Sequence, residues 1–160
     1  VFLGIVMVVL VLVGCHGHGG AGDAGFFLDL RGDDSITFAR ETGATRDIYV
    51  MKADGTGKKN LTNKDYGWKF EWRPDGGQFC FQSHRPGTYQ IFTCLADGSA
   101  RQQLTNVFAN NTHPRWSPDA RKIVFESDRD GNKEIYVLNM DTNTVTNLTE
   151  NPADDQTPDW

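Results

Sequence analysis

The sequence is poor in the residues that do chemistry. Four histidines, three cysteines and six prolines are spread over 160 residues. His16 and His18 sit in a glycine-rich stretch, and His84 and His113 stand apart from each other. No ligand spacing for a metal results, and neither a metal nor a cofactor is expected. There is no Gly-x-Ser-x-Gly elbow and no glycine-rich phosphate loop, which removes two common signatures of hydrolases and nucleotide binders. Asp128-Arg129-Asp130-Gly131-Asn132 lacks the distal glutamate of a calcium loop. Basic residues are outnumbered, 16 to 21, for a net charge of −5, and they form no cluster, so nucleic acid is not an expected partner. The longest apolar run is Val1–Val13, short of the roughly 20 residues that a membrane-crossing helix takes.

What is present is a repeat. Trp72, Trp116 and Trp160 stand 44 residues apart. Around them Trp72-Arg73-Pro74-Asp75-Gly76 corresponds to Trp116-Ser117-Pro118-Asp119-Ala120, and Thr157-Pro158-Asp159-Trp160 opens a further copy. Ile48-Tyr49, Ile91-Phe92 and Ile135-Tyr136 follow one another by 43 and then 44 residues. Leu61-Thr62, Leu104-Thr105 and Leu148-Thr149 keep the same steps, as do Phe38, Phe81 and Phe125. A period of this length marks a repeat architecture.

Each unit reads as four short strands. Middle strands are expected near 35–39, 47–51, 77–83, 89–95, 121–127 and 134–139, with almost no helix. These segments are apolar on consecutive residues, so both faces of the sheet must be covered. The fourth strand is mostly polar and suits an outer edge. Four-stranded antiparallel units with covered faces and a polar rim describe the blades of a β-propeller. The expected fold class is therefore all-β, with about three blades and an incomplete ring. The blades are placed at 26–62, 69–105 and 113–149, with the start of a fourth at 157–160. Cys80 and Cys94 fall on neighbouring strands of one blade. A cross-strand disulfide and two buried thiols both fit that placement.

Trp116-Ser117-Pro118-Asp119, Ile123 to Gly131, Glu134-Ile135-Tyr136-Val137 and Asn147-Leu148-Thr149 resemble the WD-like repeat of TolB-type propellers. The resemblance covers roughly Ser35 to Trp160. It implies that Trp72, Trp116 and Trp160 pack between blades, and that Asp75 and Asp119 belong to hairpin turns. Its motif residues are structural and imply no catalysis. The first copy departs from the pattern: Asp29 stands where the tryptophan would be, and Phe26-Phe27-Leu28 is expected to form an irregular inner strand. Nothing corresponds to the α/β domain that precedes the propeller in TolB itself. The stop at Trp160, inside a motif, leads to the expectation of a fragment.

The amino terminus is the second signal. Residues 1–14 read as the apolar region of a signal peptide. Leu12-Val13-Gly14-Cys15 resembles the lipobox of bacterial lipoproteins, which implies cleavage before Cys15 and acylation of that cysteine. Residues 15–25 have the glycine-rich composition of a flexible linker. The resemblance implies a cell-envelope location, on the periplasmic side of the outer membrane or at the cell surface. The membrane would be met through the lipid anchor alone.

The loops that differ between copies carry the candidate site. In propellers the fourth-to-first strand loops and the second-to-third strand turns meet on one face. Here that places Tyr66, Trp68, Phe108, Asn110, His84, Arg85, Asp128 and Arg129 on a candidate binding face. Lys69, Glu71, His113 and Arg115 are expected on inner strands, lining the channel. Exposed aromatic residues on loops suit recognition of an envelope protein or glycan. Bare blade faces would also allow self-association. The competing reading makes the chain the leading propeller of a larger enzyme, a prolyl-oligopeptidase-like peptidase or a TolB-like lyase.

Overall fold

Each repeat unit folds into one four-stranded antiparallel sheet whose strands follow one another in space as in sequence. The computed structural model describes residues 27–28, 34–43, 45–63, 66–84 and 87–160. Blade 1 holds β1 (Phe27–Leu28), β2 (Ser35–Thr42), β3 (Thr45–Lys52) and β4 (Lys59–Asn60). Blade 2 holds β5 (Gly67–Trp72), β6 (Gln78–His84), β7 (Tyr89–Leu95) and β8 (Gln102–Gln103). Blade 3 holds β9 (Asn111–Trp116), β10 (Lys122–Ser127), β11 (Glu134–Asn139) and β12 (Thr144–Asn147). No helix occurs among the described residues. The all-β propeller reading holds. The hairpin of β2 and β3 is longer than its apolar residues implied, because Thr42 pairs with Thr45 across a tight turn through polar residues.

The Leu-Thr anchor has a structural cause. Each outer strand is short and ends beside the third strand. The leucine N–H still bonds the isoleucine carbonyl of that strand at 2.8 Å, as Leu61 to Ile48, Leu104 to Ile91 and Leu148 to Ile135. The threonine hydroxyl then accepts the isoleucine N–H at 2.9–3.0 Å, as in Ile48 to Thr62, Ile91 to Thr105 and Ile135 to Thr149. A buried backbone N–H is thereby satisfied where the pairing runs out. The Asp turns are equally local. Asp54, Asp97, Asp75 and Asp119 each accept the N–H two residues on, at 2.8–3.1 Å. Gly98 also permits contact between blades. A Cβ there would lie 2.6 Å from the Leu61 carbonyl oxygen of blade 1.

Blades stack through apolar faces. Ile48 and Leu61 of blade 1 pack with Phe70, Phe79, Phe81, Phe92 and Cys94 of blade 2. Ile91 of blade 2 packs with Phe125, Tyr136 and Leu138 of blade 3, and Cys80 with Trp116 and Ile123. Blade 2 is covered on both sides, and every residue from Phe79 to Ser83 and from Gln90 to Cys94 is buried. In β11 of blade 3 burial alternates instead. Cys80 pairs across the sheet with Thr93 and Cys94 with Phe79, so the two thiols point to opposite faces and remain free. Burial pushes the Cys94 thiol up to about 12 and the Cys80 thiol well above its ordinary value.

Candidate functional site at the loop-bearing end

The turns β2–β3, β6–β7 and β10–β11 and the loops leading into β5 and β9 all lie at one end of the blades, because the strands alternate in direction. The loop from β8 to β9 is built from within. Gln90 is buried, and its amide nitrogen donates to both the Val107 and Ala109 carbonyls at 2.9 Å. Its amide oxygen accepts from Asn111. Phe108, between the two held carbonyls, is 100% exposed. In blade 3 Asn132 does the same work, donating to the Asn151 and Ala153 carbonyls at 2.9 and 2.7 Å. Neither Gln90 nor Asn132 is among the candidate face or channel residues read from the sequence. A signal for Gln90 was present: a polar residue, Asp47, Gln90 or Glu134, precedes each repeat isoleucine.

The expected face residues fall into two groups. Trp68 lies 6.3 Å from Tyr89, and His84 meets Tyr89 edge-on at 4.9 Å. Tyr66 is exposed in the loop before β5. Asn110, Asp128 and Arg129 are instead tied into blade 3. Asn110 donates its backbone and side-chain N–H groups to Asp128, both at 2.7 Å. Arg129 donates to Ser127 and Asn111 and lies 4.3 Å over the Tyr136 ring. Arg85 and the lipidation candidate Cys15 lie outside the described residues.

The inner strands carry a repeated irregularity. Lys69 in β5, His113 in β9 and Thr157, at the repeat-equivalent position after blade 3 and outside any strand, all have positive φ, at 47°, 53° and 55°. The registers of β5 and β9 shift there, the mark of a β-bulge. At His113 and Thr157 the backbone N–H turns toward the preceding blade. Gln82 accepts the His113 N–H at 2.9 Å, and Glu126 accepts the Thr157 N–H at 2.6 Å. Glu126 has a 2% exposed side chain yet stays ionised. Burial alone would raise its pKa, but the hydrogen bonds from His113 and Thr157 and the charge of Lys133 outweigh it and hold it at about 2. Glu71 accepts the Trp116 N–H, and burial raises its pKa. Arg115 lends its carbonyl to the Trp160 indole at 3.1 Å. Trp72 reaches Thr37 of blade 1 at 3.2 Å, so this indole spans two blades, as does the buried ring of Trp116 against Cys80.

A shallow cleft of about 350 Å³ at the blade 3 end is lined by Asp130, Asn132, Glu134, Asn147, Glu150, Asn151 and Pro152. Its side chains bond mostly to one another and to the loop backbone. No group of three or more metal-ligating side chains exists among the described residues.

Comparison with known proteins agrees with this anatomy. Solved structures with the same fold include a TolB from Acinetobacter baumannii (26% identity, TM-score 0.69) and a putative TolB from Agrobacterium tumefaciens (26%, 0.64). The matches cover 83% and 71% of this chain but only 34% and 44% of those proteins. An oligogalacturonate lyase in complex with manganese (20% identity, TM-score 0.63, 77% of this chain and 35% of that one) shares the fold alone. A search of curated proteins returned no match. Residues 71–160 match the family described as TolB beta propeller domain. More than half of the sequence lies in that match, and the chain belongs to the TolB beta propeller domain family.

Proposed function

We propose that the chain is the propeller of a lipid-anchored cell-envelope protein, and that it binds a protein or glycan partner at its loop-bearing end without catalysing a reaction. The observation that carries this reading is the presentation of Phe108. A fully exposed aromatic ring stands on a loop whose two neighbouring carbonyls are bonded to one buried amide. Little ordering entropy remains to be lost when such a ring enters a pocket, which is what makes an aromatic anchor effective. Tyr66 stands on the equivalent loop of the preceding blade.

The anchor part of the proposal rests on Leu12-Val13-Gly14-Cys15. β1 pairs antiparallel with β2, so the chain enters blade 1 from the loop-bearing end. A linker over residues 15–25 reaches at most about 40 Å when fully extended. The binding end would then lie within that distance of the membrane.

A photo-crosslinking residue at position 108 tests the binding reading. A discrete, saturable product with one envelope component is expected, and excess unlabelled wild-type chain, but not Phe108→Ala, should compete it away. Diffuse labelling that Phe108→Ala competes equally would remove the reading. Cys15→Ser should release the protein from the membrane fraction, and a variant that fractionates like the wild type would remove the anchor reading. The alternative, a propeller that serves a larger enzyme, draws on the likeness in fold to the lyase and to a puromycin-hydrolyzing peptidase of Mycobacterium tuberculosis (15% identity, TM-score 0.67). A nucleophile-elbow domain in the reading frame after Trp160 would favour it.

A further inference from the structure

Charge is divided unevenly over the loop-bearing end. Arg46, at the start of β3, lies on the same face as Ile48, the face that meets blade 2. Its guanidinium sits 4.5 Å over the Trp68 ring, and Lys69 Nζ lies 5.6 Å from the same ring. Trp68 leads to Tyr89 and Tyr89 to His84. The result is a continuous row, Arg46–Trp68–Tyr89–His84 with Lys69 beside it, that crosses from blade 1 to blade 2. Lys69 and His84 are exposed and the two aromatic rings are half-buried. Glu41 accompanies the row, bonded to Arg46 at 2.5 Å and itself exposed. The same end of blade 3 carries Asp128, Asp130, Glu150, Asp154 and Asp155 against Arg129, which is tied to Ser127 and Asn111, and Lys133, so acidic groups outnumber basic ones there.

We propose that this row docks an acidic peptide segment of a protein partner, an assignment that rests on the reading of the loop-bearing end as a protein-binding surface. Charge complementarity selects the occupant. The molecule is acidic overall, yet the row gathers its cations around aromatic rings. A guanidinium stacked on an indole keeps its N–H edge for carboxylates and is already ordered. Arg46 has five donors, and the bond to Glu41 leaves others for an incoming carboxylate. A sugar ring would need an open aromatic face, and Arg46 covers that of Trp68. The carboxylates at the blade 3 end repel the same ligand, which confines it to blades 1 and 2 and sets its direction.

The experiment is fluorescence anisotropy of the 160-residue chain with three labelled probes: hexaglutamate, hexalysine and a hexameric uronic-acid oligosaccharide. Hexaglutamate should bind with an affinity that falls as salt rises, and hexalysine should not compete for the row. Lys69→Asn and Arg46→Gln should each weaken hexaglutamate about fivefold. Lys69→Asp, at an exposed position whose positive φ aspartate tolerates, should weaken it further, with an unchanged urea midpoint reporting an intact fold. Equal binding by wild type and Lys69→Asp overturns the proposal, as does binding of the oligosaccharide in preference to hexaglutamate. No hexaglutamate binding beside an intact crosslink at position 108 overturns this assignment alone. Loss of both removes the broader reading with it.

Discussion

At the scale of single residues, the three repeat tryptophans share one need, a hydrogen-bond acceptor for the indole N–H, and two of them meet it. Trp72 donates its indole N–H to Thr37 Oγ1, and Trp160 donates to the Arg115 carbonyl. The buried Trp116 indole N–H, unlike its backbone N–H, has no partner among the described residues. The position equivalent to Thr37 in blade 2 is Cys80, which packs against Trp116 and is a poor acceptor. Cys80→Thr should supply the missing oxygen and stabilise the fold by about 1 kcal/mol, read as a higher urea midpoint. A lowered midpoint would mean that the hydroxyl is buried without reaching the indole. Glu126 gives a pH signature. Its folded pKa, about 2, lies below the ordinary 4.5, so its contribution is complete above about 4.5 and disappears as pH falls through 2. Glu126→Gln should flatten stability over that interval. The fold should survive, because Gln82 fills the equivalent site and accepts the equivalent N–H. Urea midpoints from pH 2 to 6 would reveal the change, and an unaltered slope would contradict it.

At the scale of elements, the loops are where a change should be most local. Gln90→Ala removes two bonds to the β8–β9 loop and the contact with Asn111. Amide exchange at residues 107–109 should quicken at least tenfold, with β5 and β6 little affected, and binding through Phe108 should weaken in parallel. Exchange that rises uniformly across blade 2 would show Gln90 to be a core residue first. The elements also show what a reader of the sequence can reach. The middle strands were legible because their apolar runs carry the burial of two faces. The Leu-Thr anchor was legible as a pattern, but not as the hydroxyl that ends a strand, since its partner is a backbone N–H 14 residues away. The positive φ shared by Lys69, His113 and Thr157 was hidden: these three residue types have no common propensity for it, and at His113 and Thr157 the N–H is held by a side chain on the preceding blade. For the same reason, the row through Arg46 could not be read, because blade 1 residues meet blade 2 residues only after stacking.

At the scale of the whole molecule, the faces of the blades are not equivalent. Leu61 of blade 1 is 1% exposed against blade 2, whereas Leu148, its counterpart in blade 3, is 57% exposed. Ile135 and Val137 are only half-buried beside it. A blade face of about 350 Å² is worth several kcal/mol at roughly 25 cal/mol per Å². The 160-residue chain should therefore associate in sedimentation velocity as its concentration rises, and Val137→Lys with Leu148→Lys should return it to the monomer. A wild-type chain that stays monomeric at high concentration would contradict this. The bulges carry one further consequence, which concerns time. At two of these positions a backbone N–H is handed to the blade made before it, from His113 to Gln82 and from Thr157 to Glu126. The chain that leaves one finished blade is thus caught at once by that blade. A chain that folds from its amino terminus would find, at each of these two steps, a finished blade that already offers the acceptor for the segment that follows.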